Sequence, residues 1–334
     1  MNLLPHSNGF QRIKPPKFNL LDFLRKSVII IIVFLIIGFL VQSMSNFIAN
    51  ETLKANLKYV RIETRKLEYK IKGTGSHTVV FDGGIGSNIY EWDEVCKKLE
   101  RDYDVKTFVY NREGYGFSDS GERRSPEEQA EDLKNLLKKS GANEPYIFVS
   151  EEYGSLISMS FAEKYPELVG GLVLINPLSY DLVNSKEYSD SIKWQYYKSK
   201  LRYLGSYFYI TELCDKLGIL KSETDIEDLP KGAQEEINIH KNKKNYTKAI
   251  YDEIGNLYKK DFKTDINKII ETVPTYLISN EITSEIENIP ENSLLTVYKS
   301  SILSTPYALH DQESIIDGVN NILKKAKRLE KINS

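Results

Sequence analysis

With 334 residues, 41% of them hydrophobic and 28% charged, the chain can bury one large α/β core or two modest ones, and it is neither a disordered segment nor a bare membrane bundle. A net charge of −2 and a pI near 6.2, with lysines and arginines interspersed among acids, leave no basic face for a polyanion, so nucleic acid is excluded as an expected partner. Cys96 and Cys214 lack metal-ligand spacing and cannot build a disulfide framework; both are expected as buried free thiols, and no motif calls for a metal or a cofactor.

From Val28 to Val41 the sequence VIIIIVFLIIGFLV has no polar side chain. With QSMSNFIA the stretch reaches about 20 residues, the length a helix needs to cross the hydrocarbon of a bilayer. The long leader and the poor cleavage match in SMSNFIANE argue for an uncleaved anchor rather than a signal peptide. Arg12, Lys14, Lys17, Arg25 and Lys26 precede it, which by the positive-inside rule keeps the leader in the cytoplasm. The expected layout is a cytoplasmic leader over 1–26, a single transmembrane helix over 27–48 in the cell membrane and a charged stalk over 49–65, with the folded C-terminal domain extracellular.

Beyond the stalk, RKLEYKIKGTG alternates as a strand, and HTVVFDGG is a short buried strand. NIYEWDEVCKKLERDY has helical period, DVKTFVYN is a strand, and SPEEQAEDLKNLLKKSG opens with Ser125 as N-cap, Glu128 three residues on, and closes at Gly141. PYIFVS is the next strand, a helix starts at Tyr153, and VGGLVLINP is another strand. Strands alternating with helices predict a parallel sheet covered on both faces. After Pro177 the chain turns polar, rich in Tyr and Lys, and helical; TVPTYLIS restores a buried strand, and SIIDGVNNILKKAKRLEK is a final amphipathic helix. The expected division is a core over 66–177, a helical segment over 178–270, and the rest of the core over 271–334.

Four segments in this order, VVFDGGIGSN, YNREGYGFSD, VSEEYGS and YPELVGGLVLINP, resemble the glycine-rich oxyanion loop, the D-R-x-G-x-G-x-S segment with Asn111 in place of its aspartate, the nucleophile elbow, and the helix end and strand that follow it in α/β-hydrolases. Residues 66–329 are similar to that superfamily, in particular to a bacterial membrane-anchored branch of it. The resemblance implies an α/β-hydrolase fold, a mostly parallel sheet flanked by helices, with residues 178–270 as a helical cap.

It also implies a site, and the site is altered. At the G-x-S-x-G elbow the five positions read Ser150, Glu151, Glu152, Tyr153, Gly154: the small residues that let strand and helix nearly touch are kept, while the serine has become Glu152. By position, the backbone amides of Ile85 and Tyr153 would be the oxyanion donors, with Gly83, Gly84 and Gly86 letting the backbone approach a ligand. The base position falls on Thr305 and the acid position on Thr283; the alternative acid position after the sixth strand is Asn176. His310 is the one histidine in the neighbourhood, five residues late, or roughly a turn and a half of helix. A triad acts as a unit, so three coincident replacements predict a hydrolase homologue with little or no activity, binding a small-molecule ligand or a partner. The competing expectation is an active hydrolase using Glu152, or a displaced Ser150 or Ser155, with His310. Glutamate places its oxygen about 1.5 Å beyond the aspartate some relatives carry at this turn, and an error of about 1 Å can cost on the order of 100-fold.

Overall fold

The computed structural model describes residues 19–52, 58–220, 226–280 and 294–333. A long helix, α1 (Leu20–Thr52), precedes an eight-stranded sheet in the order β1-β2-β4-β3-β5-β6-β7-β8. Its strands are β1 (Lys58–Ile62), β2 (Arg65–Gly73), β3 (His77–Asp82), β4 (Val105–Tyr110), β5 (Tyr146–Glu151), β6 (Val169–Ile175), β7 (Thr275–Ser279) and β8 (Leu295–Lys299). β1 and β2 pair antiparallel and β2 joins β4 antiparallel, while every pairing from β4 to β8 is parallel.

The central strands are apolar on both faces because both faces are covered, and their two-residue alternation sorts them into two cores. Val80, Phe108, Phe148, Leu172 and Leu174 pack with α3 (Pro126–Ser140) and α4 (Tyr153–Lys164). Their neighbours Val79, Phe81, Val109, Val149, Val173 and Ile175 pack with α2 (Asp93–Asp102) and the last helix. The capping box expected for α3 is present: Ser125 and Glu128 each bond the other's amide, and Gly141 ends the helix at φ 75°.

Between β6 and β7 lie α5 (Tyr180–Asn184), α6 (Lys186–Gly205), α7 (Ile210–Lys216), α8 (Lys231–His240), α9 (Lys244–Lys259) and α10 (Ile266–Thr272). α6 and α9 lie together through tyrosines, with Tyr196 stacked on Tyr258 at 4.5 Å between centroids and Tyr203 stacked on Tyr251 at 5.9 Å. After β8 come a short helix, α11 (Tyr307–His310), and the final helix, α12 (Gln312–Asn333).

Three expectations change. Lys58–Ile62, assigned above to the stalk, is a strand of the sheet: Val60 and Ile62 alternate into the core, which the neighbouring charges obscured. The strand β8 was not foreseen. Cys96 is buried and free as expected, but Cys214 is half-buried.

Leu20–Phe47 of α1 is long and apolar enough to span a membrane. One side of it touches the helical segment. A Cβ on Gly38 would sit 2.1 Å from the carbonyl oxygen of Phe208, so only glycine permits that approach. Gln42 is buried and bonds Asn46, and Lys243 donates to the Ser45 hydroxyl at 2.7 Å.

Candidate active site

The turn between β5 and α4 puts Glu152 at φ 46°, ψ −111°. A side chain in that region costs of order 1–3 kcal/mol and persists only where the surroundings impose it. Here the Glu152 amide donates to Ile175 O at 3.0 Å, and its carbonyl accepts from both the amide and the hydroxyl of Ser155. The turn presses on the loop after β3: the Gly154 amide donates to Gly83 O at 3.2 Å, and a Cβ on Gly154 would lie 2.5 Å from Asp82 O. This is the sharp strand-to-helix elbow expected from the sequence, with Glu152 at its apex.

Arg112 shapes the loop on the other side. Its guanidinium donates to Gly83 O at 2.8 Å and to Gly84 O at 2.6 Å. In a trans peptide the carbonyl and the following N–H point opposite ways, so the Ile85 amide is turned away from Arg112. Arg112 also grips Glu253 of α9 with Nε at 2.7 Å and Nη2 at 3.0 Å, and pairs with Asp82. Asp82 accepts from the Tyr110 hydroxyl, and Glu253 from that of Tyr115. Two buried carboxylates thus share one guanidinium, and burial raises the pKa of both against the pull of Arg112. Arg112 lies within the YNREGYGFSD segment, whose local pattern carries no sign of its partner Glu253 in α9.

The Glu152 carboxylate lies against the glycine loop, with Oε2 2.9 Å from where a Cβ on Gly84 would be. Burial raises its pKa, which lowers the ionised fraction near neutrality. Tyr188 of α6 is within electrostatic reach of it: the phenol is pushed up by burial and then by the Glu152 charge. Next door, Glu151 is buried and accepts the Tyr307 amide at 3.1 and 3.2 Å. Burial raises the Glu151 carboxyl well above its usual range, and Glu152 adds to it.

No hydrogen bond joins the Glu152 carboxylate to Thr305 or His310 among the described residues. Thr305 is exposed, two residues before Tyr307. His310 is half-buried at the end of α11 and forms no hydrogen bond with Glu152, Ser150 or Ser155. Thr283 lies outside the described residues. Asn176 sits at φ 43° and accepts the Asn280 amide at 3.2 Å. Both alternative serines are engaged: Ser150 with Ser158 at 2.6 Å, and Ser155 with Glu152 O and the Leu178 amide. Tyr153 is fully buried, its hydroxyl linking Gln129 and Asn256. A cavity of about 290 Å³ opens elsewhere, lined by Asn46, Gly116, His240, Lys243, Asn245 and Tyr246, with burial pushing the His240 imidazole down to about 4.

A family model described as the alpha/beta hydrolase fold matches residues 77–205. The YqjL protein of Bacillus subtilis is 32% identical over 107 residues, which is 32% of this chain and 42% of that protein. The chain spans about two fifths of the length of the curated relatives it matches first. Among solved structures, the Cif epoxide hydrolase from Acinetobacter nosocomialis superposes with a TM-score of 0.61 at 14% identity, covering 84% of this chain and 96% of that one. A membrane phospholipase A, described as a bacterial virulence factor, superposes at 0.59 with 15% identity, covering 92% and 98%. The order of strands, the elbow against the glycine loop, and these likenesses agree: the chain has the α/β-hydrolase fold.

Proposed function

We propose that this chain is a membrane-anchored α/β-hydrolase homologue that has lost hydrolysis and acts by binding a small ligand or a partner at the elbow, beneath helices α5–α10 serving as its cap. α1 is its anchor, with the leader cytoplasmic and the domain outside the cell. Glu152 stands in the nucleophile position, Thr305 in that of the base and Thr283 in that of the acid, with the Ile85 and Tyr153 amides as donors to a ligand oxygen. One observation carries the reading: the elbow is held in its strained form, φ 46°, around a carboxylate to which no histidine among the described residues is hydrogen-bonded. A hydroxyl or water in such a site has no imidazole to take its proton and later return it to a leaving group, and without one acyl transfer is slow.

A second reading has support of its own. Carboxylates attack covalently in some enzymes, a fold neighbour is named an epoxide hydrolase, and Tyr188 lies within electrostatic reach of Glu152. Glu152 would open an epoxide by bonding to its carbon while Tyr188 protonates the departing oxygen, but release of the resulting ester needs a base to activate water.

The test uses the full chain in detergent with short acyl esters and with epoxides. Negligible turnover is expected, with little gain from Glu152→Ser alone and a strongly non-additive gain when Thr305→His and then Thr283→Asp are added. Robust turnover of either substrate by the natural sequence, abolished by Glu152→Gln, would establish the carboxylate enzyme instead.

A further inference from the structure

The helical segment carries an exposed apolar surface on α6. In α6, Trp194, Tyr197, Leu201 and Leu204 recur at i, i+3, i+7 and i+10, and all four are exposed, Trp194 at 71% and Leu201 at 70%. At about 100° per residue they share a face less than a quarter-turn wide. Ile192, Tyr196, Ser199 and Tyr203 occupy the opposite face, where Ile192 and Ser199 are buried and the two tyrosines stack on α9. Trp194, Leu201 and Leu204 therefore point away from the protein, while Tyr197, exposed beside them, also sets its ring edge-on to Tyr258 of α9 at 6.4 Å between centroids. Lys193 and Lys200 border it on one side and Lys198 on the other. A row of aromatic and leucyl side chains edged by lysines is the composition of a helix lying in a membrane interface, with rings and methyls in the acyl boundary and ammonium groups at the phosphates.

The position of α1 supplies the level. Gly38, inside the apolar run, is in contact with the backbone of Phe208, three residues beyond the end of α6. Gly38 lies four residues before Gln42, the first polar side chain after the unbroken apolar run, about 6 Å along the helix, which falls within the roughly 5–10 Å to which interfacial helices sink. Lys243, bonded to Ser45, marks the headgroup level on the same helix. Glu187 and Asp190 keep the start of α6 polar, so the helix would descend towards its C-terminal end, where it meets α1.

We propose that α6 docks on the bilayer, with Trp194, Tyr197, Leu201 and Leu204 inserted among the acyl chains, so that the helical segment is a second membrane contact beside α1. This rests on the reading of α1 as an anchor. Since α6 also carries Tyr188 towards Glu152, the docked face and the elbow are served by one helix, and the ligand class that fits is an amphiphile supplied from the membrane.

Trp194 is its own reporter, because the other tryptophan, Trp92, is 1% exposed in the core. The full chain is reconstituted into phosphatidylcholine–phosphatidylglycerol vesicles, with and without bromine on the acyl chains, and separated by flotation. Bromolipid is expected to lower Trp194 emission roughly twofold, with the effect absent in Trp194→Phe. Leu201→Glu/Leu204→Glu should still float but lose the quenching. Failure of the natural chain to float overturns the anchor, and the docking with it. Flotation with Trp194 unquenched by bromolipid overturns the docking alone, either with Trp194 open to aqueous acrylamide or with it shielded from acrylamide, the latter outcome meaning that a second copy covers the stripe. Quenching that survives in Trp194→Phe overturns it as well.

Discussion

Replacing Arg112 by methionine removes a cation that two buried carboxylates share. Asp82, Arg112 and Glu253 are all nearly inaccessible to water. Removing one member of a buried pair costs about 3–5 kcal/mol, because the remaining charge is left without compensation. The loss also frees Gly83 O and Gly84 O, so the loop against Glu152 is released along with the tie between β4 and α9. Glu253→Gln behaves differently. It leaves Arg112 paired one to one with Asp82 and keeps an oxygen facing Nε, so its cost is expected below about 2 kcal/mol. In Arg112→Met/Glu253→Gln only Asp82 stays uncompensated, so the double variant should be less destabilised than the sum of the singles by at least about 1 kcal/mol. Urea unfolding of the full chain in detergent, followed by circular dichroism, reads all three. At a slope of about 3 kcal/mol/M, Arg112→Met should lower the midpoint by roughly 1 M. A loss under about 1 kcal/mol for Arg112→Met, or strict additivity in the double variant, would refute the shared-cation account.

Gly154→Ala should destabilise by about 1–3 kcal/mol, several degrees in melting temperature, because its Cβ would meet backbone oxygens of Asp82 and Gly83 at 2.5 and 2.8 Å. Gly232→Ala in α8, where a Cβ meets nothing within 4 Å, should be neutral or mildly stabilising in the same scan. Glu91 is buried between Ser87 and Asn88, and burial raises its carboxyl to about 7. Its unfolded counterpart ionises near pH 4.5, so between about pH 4.5 and 7 the unfolded chain binds fewer protons and stability falls with rising pH, by roughly 3 kcal/mol at most. Glu91→Gln should flatten unfolding midpoints across that window; an unchanged slope would show that Glu91 is not the group responsible.

The parts of this fold that could be read in the sequence are those whose signal is local. VVF in β3, YIFV in β5 and LVLI in β6 announce buried strands because parallel strands covered on both faces have no polar side to alternate with. Ser125, Glu128 and Gly141 delimit α3 through contacts that span three or four residues. The edge strands gave little warning: β8 is partly exposed along its length, and β1 carries charges on its open side. At the elbow, Ser150 and Gly154 mark the turn from five consecutive positions, and Glu152 is found at its apex. The ties that shape the site are another matter. Arg112 and Glu253 are 141 residues apart, and Glu151 and Tyr307 are 156 apart; in each case one member lies in a segment with no motif, and only the folded chain brings them together. The base position illustrates the limit from the other side, since registration on the final helix selects Thr305 but cannot tell that its side chain faces solvent.

Covalent geometry fixes the farthest that the sheet can lie from the end of α1. From Thr52 to Lys58 there are six peptide steps, which span about 20 Å at full stretch. On the anchored reading the domain is leashed rather than floated, and its site samples a thin layer of space next to the lipid surface. Anything resident in that layer is met as though at millimolar concentration, so even a weak intrinsic affinity would give near-full occupancy for a membrane-borne ligand, while the same affinity for a freely diffusing one would leave the site mostly empty. Lengthening the leash would dilute the first kind of ligand and leave the second untouched.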